Sequence, residues 1–280
     1  MISLRTKYFR HMLDYCCSVE AKHRYVMLSG GVDSFMLLAA VNRCFRRDDI
    51  TALIIKGVNT PDYRRAVQAA KYYGVGMEEV SVYMKDLMDN LHFCKGVKDV
   101  SVFQTMFRIS TELLLQGKDL TDCAVYQGDG ADSLYGNHNS YIYMTATNDA
   151  QSFGISKSEA RERLKKKWRR HVMSGERAGG TAKLVGSIIK KKGGIPVQPW
   201  VSGEFEYVLD VPLGEFSGNK KRWVLDGLVK EWGVDRWIVD SRRRVTMQEG
   251  MGFYKLFCDE LCKKFKVKSA NSAVRKIAEA

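Results

Sequence analysis

Nowhere in the 280 residues does an apolar run approach the ~20 residues that cross a bilayer. The amino terminus, with Arg5, Lys7, Arg10 and Asp14, also lacks the apolar core of a secretion signal. A membrane partner is therefore not expected, and the chain reads as cytoplasmic. The seven cysteines are scattered and odd in number, which argues against a disulfide framework. Neither Cys16-Cys17 nor Cys258 with Cys262 has the paired spacing of a zinc site, so these read as core or surface thiols and no structural metal is expected. No internal repeat is present. Basic charge is plentiful: 45 Lys and Arg against 32 Asp and Glu give a net charge of +13. That excess asks for a polyanion, either a nucleic acid or a nucleotide held in a site. Much of it lies in Arg161 to Arg170 and in Lys190 to Lys192, and runs of this kind usually form solvated helix faces. With 45% hydrophobic and 28% charged residues the chain can bury a full core.

The pattern along the chain is one of alternating strands and helices. Leu4, Tyr8, Met12 and Tyr15 give a leading helix within residues 3 to 22. A strand is expected at Tyr25 to Leu28, a helix from Ser34 to Arg46 and a strand from Ile50 to Ile55. A helix entered through Thr60-Pro61-Asp62 ends near Gly74. Strands follow at Val80 to Tyr83 and Cys123 to Tyr126, with a helix between them from Val102 to Leu113. This order predicts an α/β fold: a parallel twisted sheet with helices on both faces and ligands at the carboxyl ends of the strands. Beyond about residue 150 strand-like runs vanish and helical patterns alternate with Gly179-Gly180, Gly193-Gly194 and Gly218. Residues 1–150 are thus read as an α/β domain with a leading helix, and 151–280 as a mostly helical part. Gly175 to Gly180 is the candidate mobile loop, and Ile195-Pro196 with Gln198-Pro199 a rigid turn.

Two loops carry the chemistry. Ser29-Gly30-Gly31-Val32-Asp33-Ser34 leaves the first strand and opens a helix. Its glycines let backbone N–H groups approach an anion, and the helix dipole favours negative charge there. Asp33 would repel bound phosphates unless a divalent cation lay between them, so the loop predicts Mg²⁺ as well as a nucleotide, which the resemblance below makes ATP. The plainer reading is that Asp33 or Ser34 caps the helix. No Gly-Lys-Ser/Thr follows, so this is not a Walker loop. The second loop, Gln127 to Gly136, leaves the strand ending at Tyr126. If the two strands are neighbours, Asp33 and Asp132 face one pocket and hold one cation.

The first loop resembles the pyrophosphate loop of the N-type ATP pyrophosphatases. Together with Gly128-Asp129-Gly130-Ala131-Asp132-Ser133-Leu134-Tyr135-Gly136 it is similar to the synthetase half of the asparagine synthetases and the related β-lactam synthetases. The resemblance continues through Gly57 and Pro61-Asp62, Pro199-Trp200-Val201-Ser202, Gly218 to Leu225, and Arg244 to Gly252. It implies an ATP-dependent carbon–nitrogen ligase that adenylates a small-molecule carboxylate, releases pyrophosphate and passes the acyl group to ammonia or an amine. By position it implies that Ser29, Gly30, Gly31, Val32, Asp33, Ser34 and Gly128 bind the phosphates, and that Asp33 and Asp132 hold Mg²⁺. Asp129 stands where the family has a catalytic glutamate, and Lys221 or Arg222 where it has a catalytic lysine. Ser133, Ser202 and Asp226 depart from the family pattern, so dicarboxylate recognition is not carried over. Only some 24 residues precede the first strand, so the ammonia is expected from solution, from the substrate or from a separate glutaminase. Two other readings remain: a related enzyme modifying a nucleic-acid base or nucleotide precursor, which the net charge suits and the second loop argues against, and a nucleotide-binding module without catalysis.

Overall fold

The computed structural model describes residues 2–57, 60–97, 101–134, 154–170, 180–210, 222–240 and 254–279. Five strands, β1 His23–Met27, β2 Ile50–Lys56, β3 Gly76–Ser81, β4 Cys123–Tyr126 and β5 Ile195–Val197, form one sheet in the order β3-β2-β1-β4-β5. Every pairing is parallel. The burial of Ile50, Ala52, Leu53 and Ile54 along β2 is the near-continuous apolar run of a strand covered on both faces.

On one face lie α1 (Leu4–Cys17) and α2 (Val32–Cys44). Helix α2 is buried without a break from Ser34 to Val41, and its sequence there, Phe35 to Val41, is apolar all round, as a central helix requires. Next to it is α3 (Pro61–Tyr73), started by Thr60, whose hydroxyl accepts from Tyr63 N, and stopped by Gly74 at φ 67°. The other face is covered by α5 (Val102–Leu114), which follows the short α4 (Met84–Asp89), and by α8 (Gly180–Lys191). Between them in sequence stand α6 (Ala131–Leu134) and α7 (Lys157–Trp168). Helices α9 (Arg222–Trp232) and α10 (Arg236–Asp240) pack on the α1 side. The last pair, α11 (Tyr254–Phe265) and α12 (Ala270–Glu279), forms a separate cluster with α4 and α5 built on Leu87, Ile109, Phe257, Leu261 and Ile277.

Three expectations are corrected. The third strand is Gly76–Ser81, not Val80 to Tyr83, because β3 is an edge strand whose place is set by pairing with β2 from Thr51 to Lys56. Val82 is apolar because it is buried in the helical cluster beyond the sheet. Strands do not vanish after residue 150: Ile195-Pro196-Val197 is a fifth strand at the sheet edge, where Pro196 leaves no ladder unsatisfied. Cys17 is not a free thiol but is disulfide-bonded to Cys44, tying the carboxyl ends of α1 and α2. Its neighbour Cys16 is a buried thiol as expected, and burial pushes its pKa up to about 12. The expected boundary near residue 150 and the glycine stretch 175–179 fall outside the described residues, while Gly180 opens α8.

Candidate nucleotide site

Strand β1 continues through α2 to β2 on one side, and β4 through α8 to β5 on the other. The strand order therefore reverses between β1 and β4, which pair directly from His23 with Cys123 to Val26 with Tyr126. A crevice at the carboxyl ends of such a pair is where open α/β sheets take ligands. Both acidic glycine loops leave from this point.

The first loop holds its own shape. Ser29 N donates to Ser34 Oγ (3.2 Å), the two hydroxyls lie 3.1 Å apart, and Ser34 Oγ donates to Gly31 O (3.2 Å). The N-cap of α2 is Gly31, with no side-chain cap, so neither Asp33 nor Ser34 caps the helix. Helix α2 therefore opens directly out of the loop, and its dipole favours negative charge there. Gly30 sits at φ 80°, and a Cβ there would run into the backbone carbonyl of Asp62 at the start of α3. Asp62 is itself buried and ion-paired with Arg65 at 2.7 Å.

The second loop lies against the first. A Cβ on Gly128 would stand 3.0 Å from Ser34 N and 3.3 Å from Asp33 Cβ. Glycine at this position is what lets the two strand ends close to backbone contact. On its far side Gly130, at φ 90°, would meet Val201 Cγ1 at 2.6 Å and the Trp200 carbonyl at 3.5 Å. The Pro199-Trp200-Val201 turn thus backs the second loop. The root of that loop is fastened by Gln127, which is buried: its N donates to Val197 O (3.1 Å) and its Nε2 to Ala182 O in α8 (3.2 Å). Gln198 Nε2 reaches the same carbonyl at 2.7 Å.

The candidate residues are distributed as follows. Ser29, Gly30, Gly31, Val32, Asp33, Ser34 and Gly128 come together in one contact region, and Asp129 is the next residue of the second loop. Asp33 Oδ1 and Asp129 Oδ2 are both shielded from solvent. Asp132 lies in α6, three residues on, and only its backbone is described. Arg222 begins α9, again as backbone alone, and Lys221 lies outside the described residues. The donor types present, a carboxylate and serine hydroxyls at a helix start, fit a magnesium-bound triphosphate.

The residues that unite these parts, absent from the candidate set, are on α1. Tyr8 is fully buried; its hydroxyl donates to Met36 Sδ in α2 (3.5 Å) and accepts from Trp200 Nε1 (2.9 Å). Its ring leans on Trp223 of α9 at 5.2 Å. Phe9 fills the space that Gly227 of α9 leaves open and meets Trp232 edge-on at 4.7 Å. Tyr126 of β4 donates to Cys16 O at 3.0 Å, and burial raises its pKa far above that of a free phenol, so it stays a donor. In the sequence Tyr8 has only helical spacing as a signal, which marks it as core and nothing more.

The asparagine synthase family model matches residues 19–186, more than half of the chain. The chain belongs to the asparagine synthase family. The matched stretch contains both loops, and it ends before Pro199-Trp200-Val201-Ser202 and the segments beyond. A probable asparagine synthetase [glutamine-hydrolyzing] of Acanthamoeba polyphaga mimivirus is 26% identical over 132 residues, 45% of this chain. The chain spans about a quarter, 23%, of the length of that curated relative. Among solved structures, the NH3-dependent NAD synthetase of Campylobacter jejuni gives a TM-score of 0.38 at 14% identity, covering 69% of this chain and 94% of that one. The NMN synthetase of Francisella tularensis gives 0.41 at 14% identity, covering 90% and 93%.

Proposed function

We propose that the chain is an ATP-dependent amide-forming synthetase. A carboxylate oxygen attacks the α-phosphorus of ATP and the bond to pyrophosphate breaks. Ammonia or an amine then attacks the acyl carbon, the bond to AMP breaks, and the nitrogen gives up a proton. What supports this reading above all is the approach of Gly128 to the Asp33-Ser34 backbone, which joins two loops ninety-odd residues apart in sequence into one wall.

The residues divide the work. The helix-start amides after Gly31, with the Ser29 and Ser34 hydroxyls, hold the departing pyrophosphate oxygens through hydrogen bonds aligned with the helix dipole. Asp33 and Asp132 are the carboxylates that would hold magnesium, which screens phosphate charge and makes pyrophosphate a better leaving group. Asp129 accepts a hydrogen bond from the incoming amine and orients it toward the acyl carbon. Lys221, or Arg222 at the start of α9, supplies the fixed cation that meets developing oxyanion charge. The carboxylate is a small molecule, and the nitrogen comes from solution, from the substrate or from a separate glutaminase. We place the enzyme in the cytoplasm; among the described residues no helix is long and apolar enough to cross a membrane.

Purified protein incubated with Mg²⁺-ATP, ammonium chloride and a panel of carboxylates is expected to release AMP and pyrophosphate in equal amounts. Release of ADP and phosphate instead would overturn the proposal.

A further inference from the structure

The positive charge of this chain is concentrated away from the nucleotide loops. Residues 1–134 hold seventeen Lys and Arg against sixteen Asp and Glu, whereas residues 151–280 hold twenty-eight against fifteen. Lys221 or Arg222, assigned above to the reacting centre, accounts for only a small part of that excess. In the most conspicuous basic run, residues 161–170 in and just past α7, three of the seven cations pair with carboxylates of the chain. Arg163 pairs with Glu159 (3.0 Å), Lys165 with Glu162 and Asp210, and Arg169 with Glu206 (Nε to Oε2 2.7 Å). Leu164 and Trp168 bury the other face of that helix.

The α11–α12 hairpin is different. It holds seven Lys and Arg against three Asp and Glu, and only Lys263 has a carboxylate partner among the described residues, Glu260. Lys264 Nζ donates to Met88 O and Lys276 Nζ to Phe265 O, each at 3.2 Å, so two cations are pinned by backbone carbonyls beside the turn. At the turn itself Lys266 is held at φ 50°, a backbone setting that glycine fills without strain. Lys268 follows two residues later, and Arg275 is exposed one helix turn past the exposed Asn271 and Ser272. The apolar faces of both helices, Phe257, Leu261, Ala273, Val274 and Ile277, point inward to the cluster with α4 and α5. The cations are therefore crowded onto the outward side without neutralisation, which is unfavourable unless an external polyanion answers them.

We propose that the turn joining α11 and α12, with Lys264, Lys266, Lys268, Arg275 and Lys276, is a docking surface for the phosphate backbone of a nucleic acid. Closely spaced cations interleaved with hydroxyl and amide side chains are the chemistry that meets successive phosphates, and they do so without reading bases. A lipid surface fits less well. Membrane-surface helices insert an apolar face, and here both such faces are used internally. The exposed apolar side chains of α11, Tyr254 and Leu256, lie at its other end, roughly 15 Å along the axis from the turn.

The test uses the full chain and a fluorescein-labelled 20-nucleotide RNA, followed by anisotropy. Binding is expected at 50 mM salt and should weaken about tenfold or more at 200 mM. Lys266→Glu with Lys268→Glu should weaken binding by at least about tenfold, while Lys166→Glu in α7 with Arg170→Glu just past its end should change it by less than about twofold. Lys266→Gly should weaken binding while raising Tm, since it removes both a charge and an unfavourable φ. That result separates lost contact from lost fold. Absence of RNA binding at 50 mM salt, equal losses from the α7 pair, or binding to phosphatidylserine vesicles but not to RNA would each overturn the proposal.

Discussion

The two loops of the candidate site look alike in sequence and are built in opposite ways. The β1–α2 loop is shaped by hydrogen bonds among Ser29, Gly31 and Ser34, all within six residues, with one outside backbone wall at Asp62. The β4–α6 loop is instead held by parts far away in the chain. Gln127 is fastened to α8, Gly128 lies on the first loop, and Gly130 lies on Trp200 and Val201. One is a local motif that packing accommodates, and the other exists only because packing assembles it. The first loop thus keeps its shape by local contacts, while Gly128 and Gly130 take their position from the segments that back them.

The largest expected effects fall where the loops share a task. Asp33→Asn and Asp132→Asn should each lower turnover by ~100-fold or more, the scale of losing an electrostatic contact in the transition state, with far-ultraviolet circular dichroism unchanged. If one of the pair kept full turnover, the shared metal would be refuted, and with it the idea that the loops act on one ligand.

Alanine at the two positive-φ glycines separates the two modes of construction. Gly30→Ala sets a Cβ against the Asp62 carbonyl, a backbone atom that cannot be trimmed, and adds about 1–2 kcal/mol of left-handed strain. Gly130→Ala meets the end of the Val201 side chain at 2.6 Å. Val201→Ala should therefore recover part of the activity lost in Gly130→Ala and none of that lost in Gly30→Ala, measured as kcat/KM for AMP release. Equal rescue of both would mean that the two loops are not seated differently.

The same contrast explains what could be read from the sequence. The first loop and the parallel alternation of strands and helices were legible because short-range patterns determine them: apolar runs for strands, glycines for the turn, Thr60-Pro61 and Gly74 for the ends of α3; that β4 lies beside β1 is a long-range pairing, left open in the sequence. Strand β5 was not, since Ile195-Pro196-Val197 reads as a turn until an edge position with no ladder to break is known to be open to it. Edge strand β3 was displaced for a related reason: Met77, Glu78 and Glu79 keep no clear alternation, and the apolar Val82 belongs to another cluster. The Cys17–Cys44 bond and the Tyr8 contacts depend on which helices become neighbours, and no spacing within one helix carries that information. For the same reason the reading of Asp129 as a site residue came from resemblance to the family, while the contact of its neighbour Gly128 with the first loop depends on the β1–β4 pairing.

The smallest expected effect bears on how the second loop is held. Tyr8→Phe keeps the ring among Phe205, Trp223 and Phe9 but removes the hydroxyl that accepts from Trp200 Nε1. A buried indole N–H left without that acceptor costs about 1–3 kcal/mol, visible as a lower Tm. Because Trp200 carries the carbonyl that faces Gly130, the loss should also relax the second loop while leaving the first, six-residue loop intact. The KM for ATP should then stay within about twofold while kcat falls about three- to tenfold, a misplacement effect smaller than loss of a catalytic group. A rise in the KM for ATP with kcat unchanged would show the reverse, that α1 serves the phosphate loop through Met36 and not the loop bearing Asp129.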